Sequence, residues 1–396
     1  MNNSPLTLAA LATCAVPNLH IVGARPHSFN EDGNFAAIVA GSDRGEIIVR
    51  VPNSEKAMLQ QSAEMQGQRA LNAGARSQLP FLVPEVLGTV NVHENRVAVS
   101  TFVPGARFNL EDLTEDSLLV ASLAGVFESL HQLPATILNN SGLPVRSAED
   151  CRVEALRLVD KARETQLLPA TVYQRWLDIL QEKTLWNFLP TVIHGSIAVE
   201  LLRVVNDSVS GLLGWEDLSV GDPAVDFAWL CPAPIGVLRA VVGRYSERTD
   251  SSLENLIARA FFYHELELAK WLLHGVETHD QQIIDDAVLL LDGLVDNVQQ
   301  PLPALEQPEL NVANVSALLS STSGLQQQLD TRNDTAVLAA LDDERIFSPD
   351  NDFSGEKLPA DSAETSPKTG QESAAQTAAT EIVETAAVET NSAKNH

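Results

Sequence analysis

Residues 190–230 read PTVIHGSIAVELLRVVNDSVSGLLGWEDLSVGDPAVDFAWL, and this stretch decides the fold. An apolar run leads into His194-Gly195-Ser196. Residues 201–205 and 209–213 then predict two short strands joined by a turn at Asn206-Asp207-Ser208, a hairpin in its turn chemistry. Gly214-Trp215-Glu216 follows, and after it Gly221-Asp222-Pro223-Ala224-Val225-Asp226. Asp222 is placed to cap a helix, with Pro223 at its first position, where the missing N–H costs nothing.

The segment resembles the aminoglycoside phosphotransferase and choline kinase family, which includes the macrolide phosphotransferases. That family's catalytic loop is H-G-D-x-x-x-x-N, its metal-binding segment an apolar pair followed by D-W, and its next helix opens with G-D-P-A-x-D. Frame and spacing match here, but the charged groups do not. Ser196 stands at the base position beside His194. The asparagine position holds Leu201, or Glu200 if one residue is deleted. Gly214 stands at the metal aspartate. Phosphoryl transfer is positioning plus charge stabilisation. A serine hydroxyl is a poor base at neutral pH, and a positioned base contributes roughly 10²–10⁴ in rate. Magnesium wants near-octahedral oxygen ligands, and glycine supplies none. Glu200, Glu216 and Asp217 are the nearby carboxylates that would have to substitute.

Upstream, residues 5–16 predict a short helix, and residues 20–29, 35–40 and 46–51 predict strands of a meander, with a tight turn at 42–45. The turn at 30–34 contains Gly33, the one glycine available to approach nucleotide phosphates. The resemblance puts Arg50 at the phosphate-pairing lysine. Arginine keeps its charge and binds phosphate in a bidentate fork, so ATP remains the implied nucleotide, whereas magnesium is put in doubt. Residues 53–72 predict a helix capped by Ser54, and the resemblance pairs its Glu64 with Arg50. Leu79-Pro80-Phe81-Leu82-Val83-Pro84-Glu85-Val86-Leu87-Gly88 resembles the family's linker into a fourth strand. Val103-Pro104-Gly105 matches its interlobe hinge, where backbone near Val103 would face an adenine.

Beyond the hinge the period turns helical: 115–133, 150–164, 170–182, 237–248, 253–273 and 281–298 all read as helices. Leu130-His131 resembles a family helix end, and Trp176 and Trp186 read as core aromatics. Asp222 and Asp226 are read as scaffold, since in the family the second braces the catalytic loop. Glu265 and Glu267 are expected on a solvated face, with contact to a cationic acceptor as the alternative.

The resemblance implies an α+β, bilobed kinase-like fold: a sheet-rich lobe over 1–102, a helical lobe over 103–300, and an acidic tail over 301–396. That tail carries 5 Lys/Arg against 16 Asp/Glu. It is expected to be disordered and open to a protein partner, because such a composition buries too little apolar area to offset ordering entropy. The net charge of −27 repels nucleic acid and anionic membrane and suits a small cationic ligand. Three dispersed cysteines fit a reducing cytoplasm, residues 1–16 lack a basic signal-peptide n-region, and no apolar run reaches membrane-spanning length. Two functions stay open: a binding or regulatory pseudokinase, or a surviving small-molecule phosphotransferase with substitute ligands.

Overall fold

The structure is a computed structural model, and it describes residues 4–27, 34–93, 95–249 and 251–298. Gly33 and residues 301–396 lie outside them.

The first lobe is an antiparallel sheet of five strands, β1 (Ile21–Pro26), β2 (Phe35–Ser42), β3 (Gly45–Pro52), β4 (Val86–Val92) and β5 (Asn95–Thr101), in the order β1-β2-β3-β5-β4. The first strand is paired with β2 as far as Pro26 opposite Ile38, and the end of the expected 20–29 strand, residues 28–29, lies outside the described residues. Alternation sends Ile38, Ile47, Val49, Val97 and Val99 to one face. They form a core with Leu8 and Ala12 of helix α1 (Pro5–Ala15) and with Val16, which caps its C-terminus. Arg50 alternates to the opposite face, toward helix α2 (Glu55–Ala70), whose Ser54 cap accepts from the Ala57 N–H at 3.1 Å.

The linker to β4 bridges Gly211 through Leu82 and is also held by an arginine. Arg76, in the short helix α3 (Ala73–Arg76), donates to the carbonyls of Leu71 (2.6 Å), Val83 (2.8 Å) and Pro84 (3.2 Å).

The second lobe is helical: α4 (Leu118–His131), α5 (Ala148–Glu164), α6 (Ala170–Gln181), α7 (Ile235–Thr249), α8 (Leu253–Thr278) and α9 (Gln281–Val298). Two small ladders interrupt it. Strand β6 (Thr191–Ile193) pairs with β9 (Ser219–Gly221), and β7 (Leu202–Val205) with β8 (Ser208–Leu212). Asn206 and Asp207, at φ of 50° and 55°, make the two-residue turn of that hairpin, the left-handed pair that matches strand twist. Phe127, Phe227, Trp215 and Tyr245 centre one core; Trp176, Trp186, Phe262 and Trp271 centre a second beneath it. No helix among the described residues is long and apolar enough to cross a membrane.

Gly67 joins the lobes. A Cβ there would stand 1.9 Å from the Trp215 carbonyl oxygen, so only glycine lets α2 lie this close to the segment after β8.

Candidate active site

The loop at residues 194–201 takes its shape from one buried carboxylate. Asp226 sits in the 3-10 stretch Pro223–Leu230 and is fully buried. It accepts the backbone N–H groups of His194 and Gly195 at 2.8 Å each, and its Oδ2 lies 3.0 Å from His131 Nε2. The other His131 nitrogen meets the Tyr245 hydroxyl at 3.0 Å. Burial by itself would raise the Asp226 pKa. The bond to His131, the His131 charge and the Gly195 N–H outweigh it and hold the group below the ordinary carboxylate range. His194 is buried too. Its Nε2 lies 2.8 Å from the Leu213 carbonyl, which fixes the proton there, and burial keeps the ring neutral against the pull of Asp226. Its ring stands edge-on to Trp215 with centroids 4.8 Å apart.

Asp222 is the second buried anchor. It caps the 3-10 stretch through the Ala224 N–H at 2.9 Å and accepts Arg259 Nε at 2.7 Å and the Tyr263 hydroxyl at 3.1 Å. Neither aspartate points at an open cleft.

The groups at the positions of chemistry are arranged differently. Ser196 Oγ is buried and has no hydrogen-bond partner among the described residues. Gly214 has φ +72°, and a Cβ built there would lie 2.8 and 2.9 Å from the two Leu201 methyl carbons. Leu201 and Gly214 thus meet face to face: where the resemblance implies asparagine and aspartate converging on a cation, a leucine side chain fills the gap. The residues present do not fit magnesium at this place. Glu200 lies in the 3-10 turn Val199–Leu201, and its carbonyl accepts from Arg203 at 2.7 Å. Asp217 packs its carbonyl against Gly195, 2.6 Å from where a Cβ would be. Among the described residues no three His, Cys, Asp or Glu side chains gather as a metal-ion cage.

Arg50 and Glu64 are brought together as an ion pair from β3 to α2, Arg50 26% exposed and Glu64 7%. Gln68 donates a further bond to Glu64 at 2.9 Å, and the Arg50 guanidinium lies over the Phe35 ring at 5.2 Å. Glu216 accepts from Gln60 of α2 at 3.1 Å. Burial, then the Glu64 and Asp217 charges, push its pKa up to about 8. Val103 is buried at the hinge, where a Cβ at Gly211 would stand 2.0 Å from its Cγ1.

Two side chains, His27 and Arg203, are not singled out by the motif reading. His27 is buried, and burial together with the charges of Arg203, Arg50, Arg25 and Arg107 lowers its pKa to about 4. Arg203 is also buried. A charged residue inside the apolar run L-L-R-V-V is the sequence signal that could have found it. Glu265 corrects the expectation of a solvated face: it is fully buried, bound by Arg175 at 2.7 and 3.2 Å and by Trp176 Nε1 at 2.8 Å. Helix α8 is wrapped by α5, α7 and α9, so its polar positions are paired inside rather than solvated. Glu267 pairs with Lys270 at 2.8 Å.

A five-stranded sheet beside a helical lobe, with a braced His-Gly-x loop and a strand-to-helix Arg–Glu pair between them, defines a protein kinase-like architecture. The family model "Phosphotransferase enzyme family" matches residues 28–287, and the chain belongs to that family. Among solved structures, macrolide 2'-phosphotransferase MphH from Brachybacterium faecium is 18% identical with a TM-score of 0.61, covering 73% of this chain and 98% of that one. The GDP and kanamycin complex of APH(2")-IIia gives 18% identity and 0.60 over 74% and 99%. Macrolide 2'-phosphotransferase type I gives 20% and 0.58 over 74% and 97%. These likenesses establish the fold. The uncharacterized protein YcbJ of Bacillus subtilis (strain 168) is 26% identical over 121 residues, 30% of this chain and 40% of that protein.

Proposed function

We propose that this protein is a phosphotransferase-family pseudokinase, which binds a ligand in its interlobe cleft without transferring phosphate. The lobes meet at residues 102–103 in this reading. One observation carries it: the Leu201 side chain occupies the space in front of Gly214, where a cation would need two oxygen ligands. The serine at position 196 adds to it, since its hydroxyl cannot serve as a carboxylate base. What the family scaffold needs for shape is retained in Asp222, Asp226 and the Arg50–Glu64 pair. The test is magnesium-dependent phosphate transfer by the purified protein to aminoglycosides, macrolides, choline and sugars. No turnover is expected, and robust turnover on any of them refutes the reading.

A second reading, an active ATP-dependent small-molecule phosphotransferase, is favoured by one feature. Beyond the effect of burial, the Glu64 and Asp217 charges raise the Glu216 pKa, and a cation held by Glu216 or Asp217 would relieve that repulsion. A thermal shift by ATP that requires magnesium supports it, and an unchanged or metal-independent shift supports the pseudokinase.

The same negative charge favours a small cationic partner for the cleft. Solved relatives of the fold include kanamycin and gentamicin complexes. Residues 301–396, strongly acidic, suit a basic protein partner, and the overall charge disfavours nucleic acid and anionic membrane. The three cysteines are free thiols, two of them buried, in keeping with a cytoplasmic setting.

A further inference from the structure

The two edges of the first lobe's sheet are finished differently. One edge is β1 and the other is β4. Strand β1 carries features that keep a sheet edge from pairing with another chain. Pro26 has no N–H, the register breaks between Ile21 and Gly23, and Arg25 makes an exposed ion pair with Glu46 at 3.2 Å. Strand β4 reads Val-Leu-Gly-Thr-Val-Asn-Val, without a charge or a proline. Its own irregularity, between Val86 and Gly88, lies at one end and leaves Gly88 to Val92 in regular register with β5. The helix beside this strand is uncharged as well. Residues Pro5–Ala15 include no Asp, Glu, Lys or Arg, and a Cβ at Gly88 would stand 2.1 Å from the Ala15 carbonyl oxygen.

The direction of the backbone groups follows from the ladder. Thr101 donates its N–H to Glu85, just before β4, at 3.0 Å, whereas Phe102 donates to Glu46 of β3 at 3.1 Å. Odd-numbered residues of β5 therefore bond toward β4. Val90 and Val92, opposite Val97 and Asn95, use their N–H and C=O groups inside the sheet. Those of Thr89 and Asn91 turn outward, and both residues are exposed. The outward pattern is its own complement. Turned about a two-fold axis between the Val90 residues, Thr89 of one copy meets Asn91 of the other, Val90 meets Val90, and Val92 meets Gly88. No charge meets another in that stretch. A net charge of −27 otherwise sets copies of the chain against each other, so a neutral edge is where a second copy can approach.

We propose that β4 is a self-association edge, at which two copies pair antiparallel through Thr89 and Asn91 and join their first-lobe sheets into one. Each Thr89–Asn91 couple exchanges both backbone hydrogen bonds, and the contact is isologous. It lies outside the cleft and holds whether or not the cleft transfers phosphate.

The experiment is sedimentation velocity of the full chain over a concentration series, at low and at high salt. A monomer–dimer equilibrium is expected, strengthening as salt screens the mutual repulsion. Asn91→Pro removes an N–H that the monomer leaves facing outward, a change tolerated on an edge. Losing that bond twice per dimer should weaken association at least about tenfold. Thr89→Lys with Asn91→Lys sets like charges opposite each other in both couples and should weaken the dimer, although the smaller net charge by itself favours association. Thr89→Lys with Asn91→Glu leaves the net charge unchanged, sets opposite charges in both couples and should dimerise at least as well as wild type. In hydrogen exchange, protection of the Thr89 and Asn91 amides should rise with protein concentration. A monomer at every concentration overturns the inference. A dimer indifferent to Asn91→Pro, or one that responds alike to both charge pairs, overturns it as well. Protection of those amides that is the same at all concentrations would put another segment of the same chain on the edge, and would overturn it too.

Discussion

Replacing Gly214 by aspartate asks whether the cation position can simply be refilled. The backbone there is left-handed at φ +72°, which costs a side-chain-bearing residue about 1–2 kcal/mol. The new Cβ would also press on Leu201 at 2.8 and 2.9 Å, and overpacking of this kind costs about 1–3 kcal/mol. The sum is a loss of about 2–5 kcal/mol, or roughly 4–20 °C in melting temperature for a domain of this size class. Leu201→Asn removes the methyl groups responsible for the overlap. The two substitutions should therefore couple, with the double variant at least about 1 kcal/mol more stable than the single effects added together. Denaturant midpoints of the wild type, both single variants and the double variant supply the cycle. A third change, Ser196→Asp, then completes the set of oxygen donors, and magnesium should stabilise the triple variant but not the wild type. Strict additivity of Gly214→Asp and Leu201→Asn would sink the argument that leucine fills this space. An aspartate at 214 tolerated without loss would do the same.

Other expectations follow from the same geometry. Glu216 has a folded pKa raised to about 8, so the folded state holds the extra proton and stability declines as pH rises from the unfolded value near 4.5 through 8. The local slope is at most about 1.4 kcal/mol per pH unit. Glu216→Gln should flatten that decline in urea midpoints at pH 5, 7 and 9, and an unaltered profile would count against it. Asp226→Ala leaves two N–H groups and His131 without their acceptor and should cost about 3–5 kcal/mol. Its wild-type contribution has the opposite sign of pH dependence: the lowered pKa makes it present above the unfolded carboxylate range and lost as pH falls through the folded value. An acid-unfolding curve of the variant parallel to wild type would contradict this. Gly67→Ala should cost about 3 kcal/mol or more, since the obstacle is the Trp215 backbone rather than a movable side chain. A fully stable variant would mean that α2 can shift freely.

How far the sequence discloses this differs along the chain. The capping residues Ser54 and Asp222 and the Asn206-Asp207 turn are local signals, set within a few residues, and the elements form about where those signals lie. Arg50 and Glu64 are separated by one strand end and part of one helix, so spacing alone suffices to bring them into register. The meeting of Leu201 with Gly214 is another matter. Each looks like an isolated loss of a polar group, and only the hairpin between them shows that one replacement fills the space left by the other. His27, Arg107 and Arg203 come from three segments, and no spacing rule connects them. Glu265 departs from the expected solvated face, since an acidic residue on a helix usually points outward. Here α8 is surrounded, and Arg175 and Trp176 supply from α6 the hydrogen bonds that water would have given.

The brace on residues 194 and 195 comes from within the protein. Asp226, His131 and Tyr245 form an internal strut that requires no visiting molecule to stand. An incoming guest thus meets a surface already set, and little of its adhesion is spent on ordering the host. Slow deuterium uptake at the His194 and Gly195 amides, before and after ligand is added, is the signature such a strut would leave.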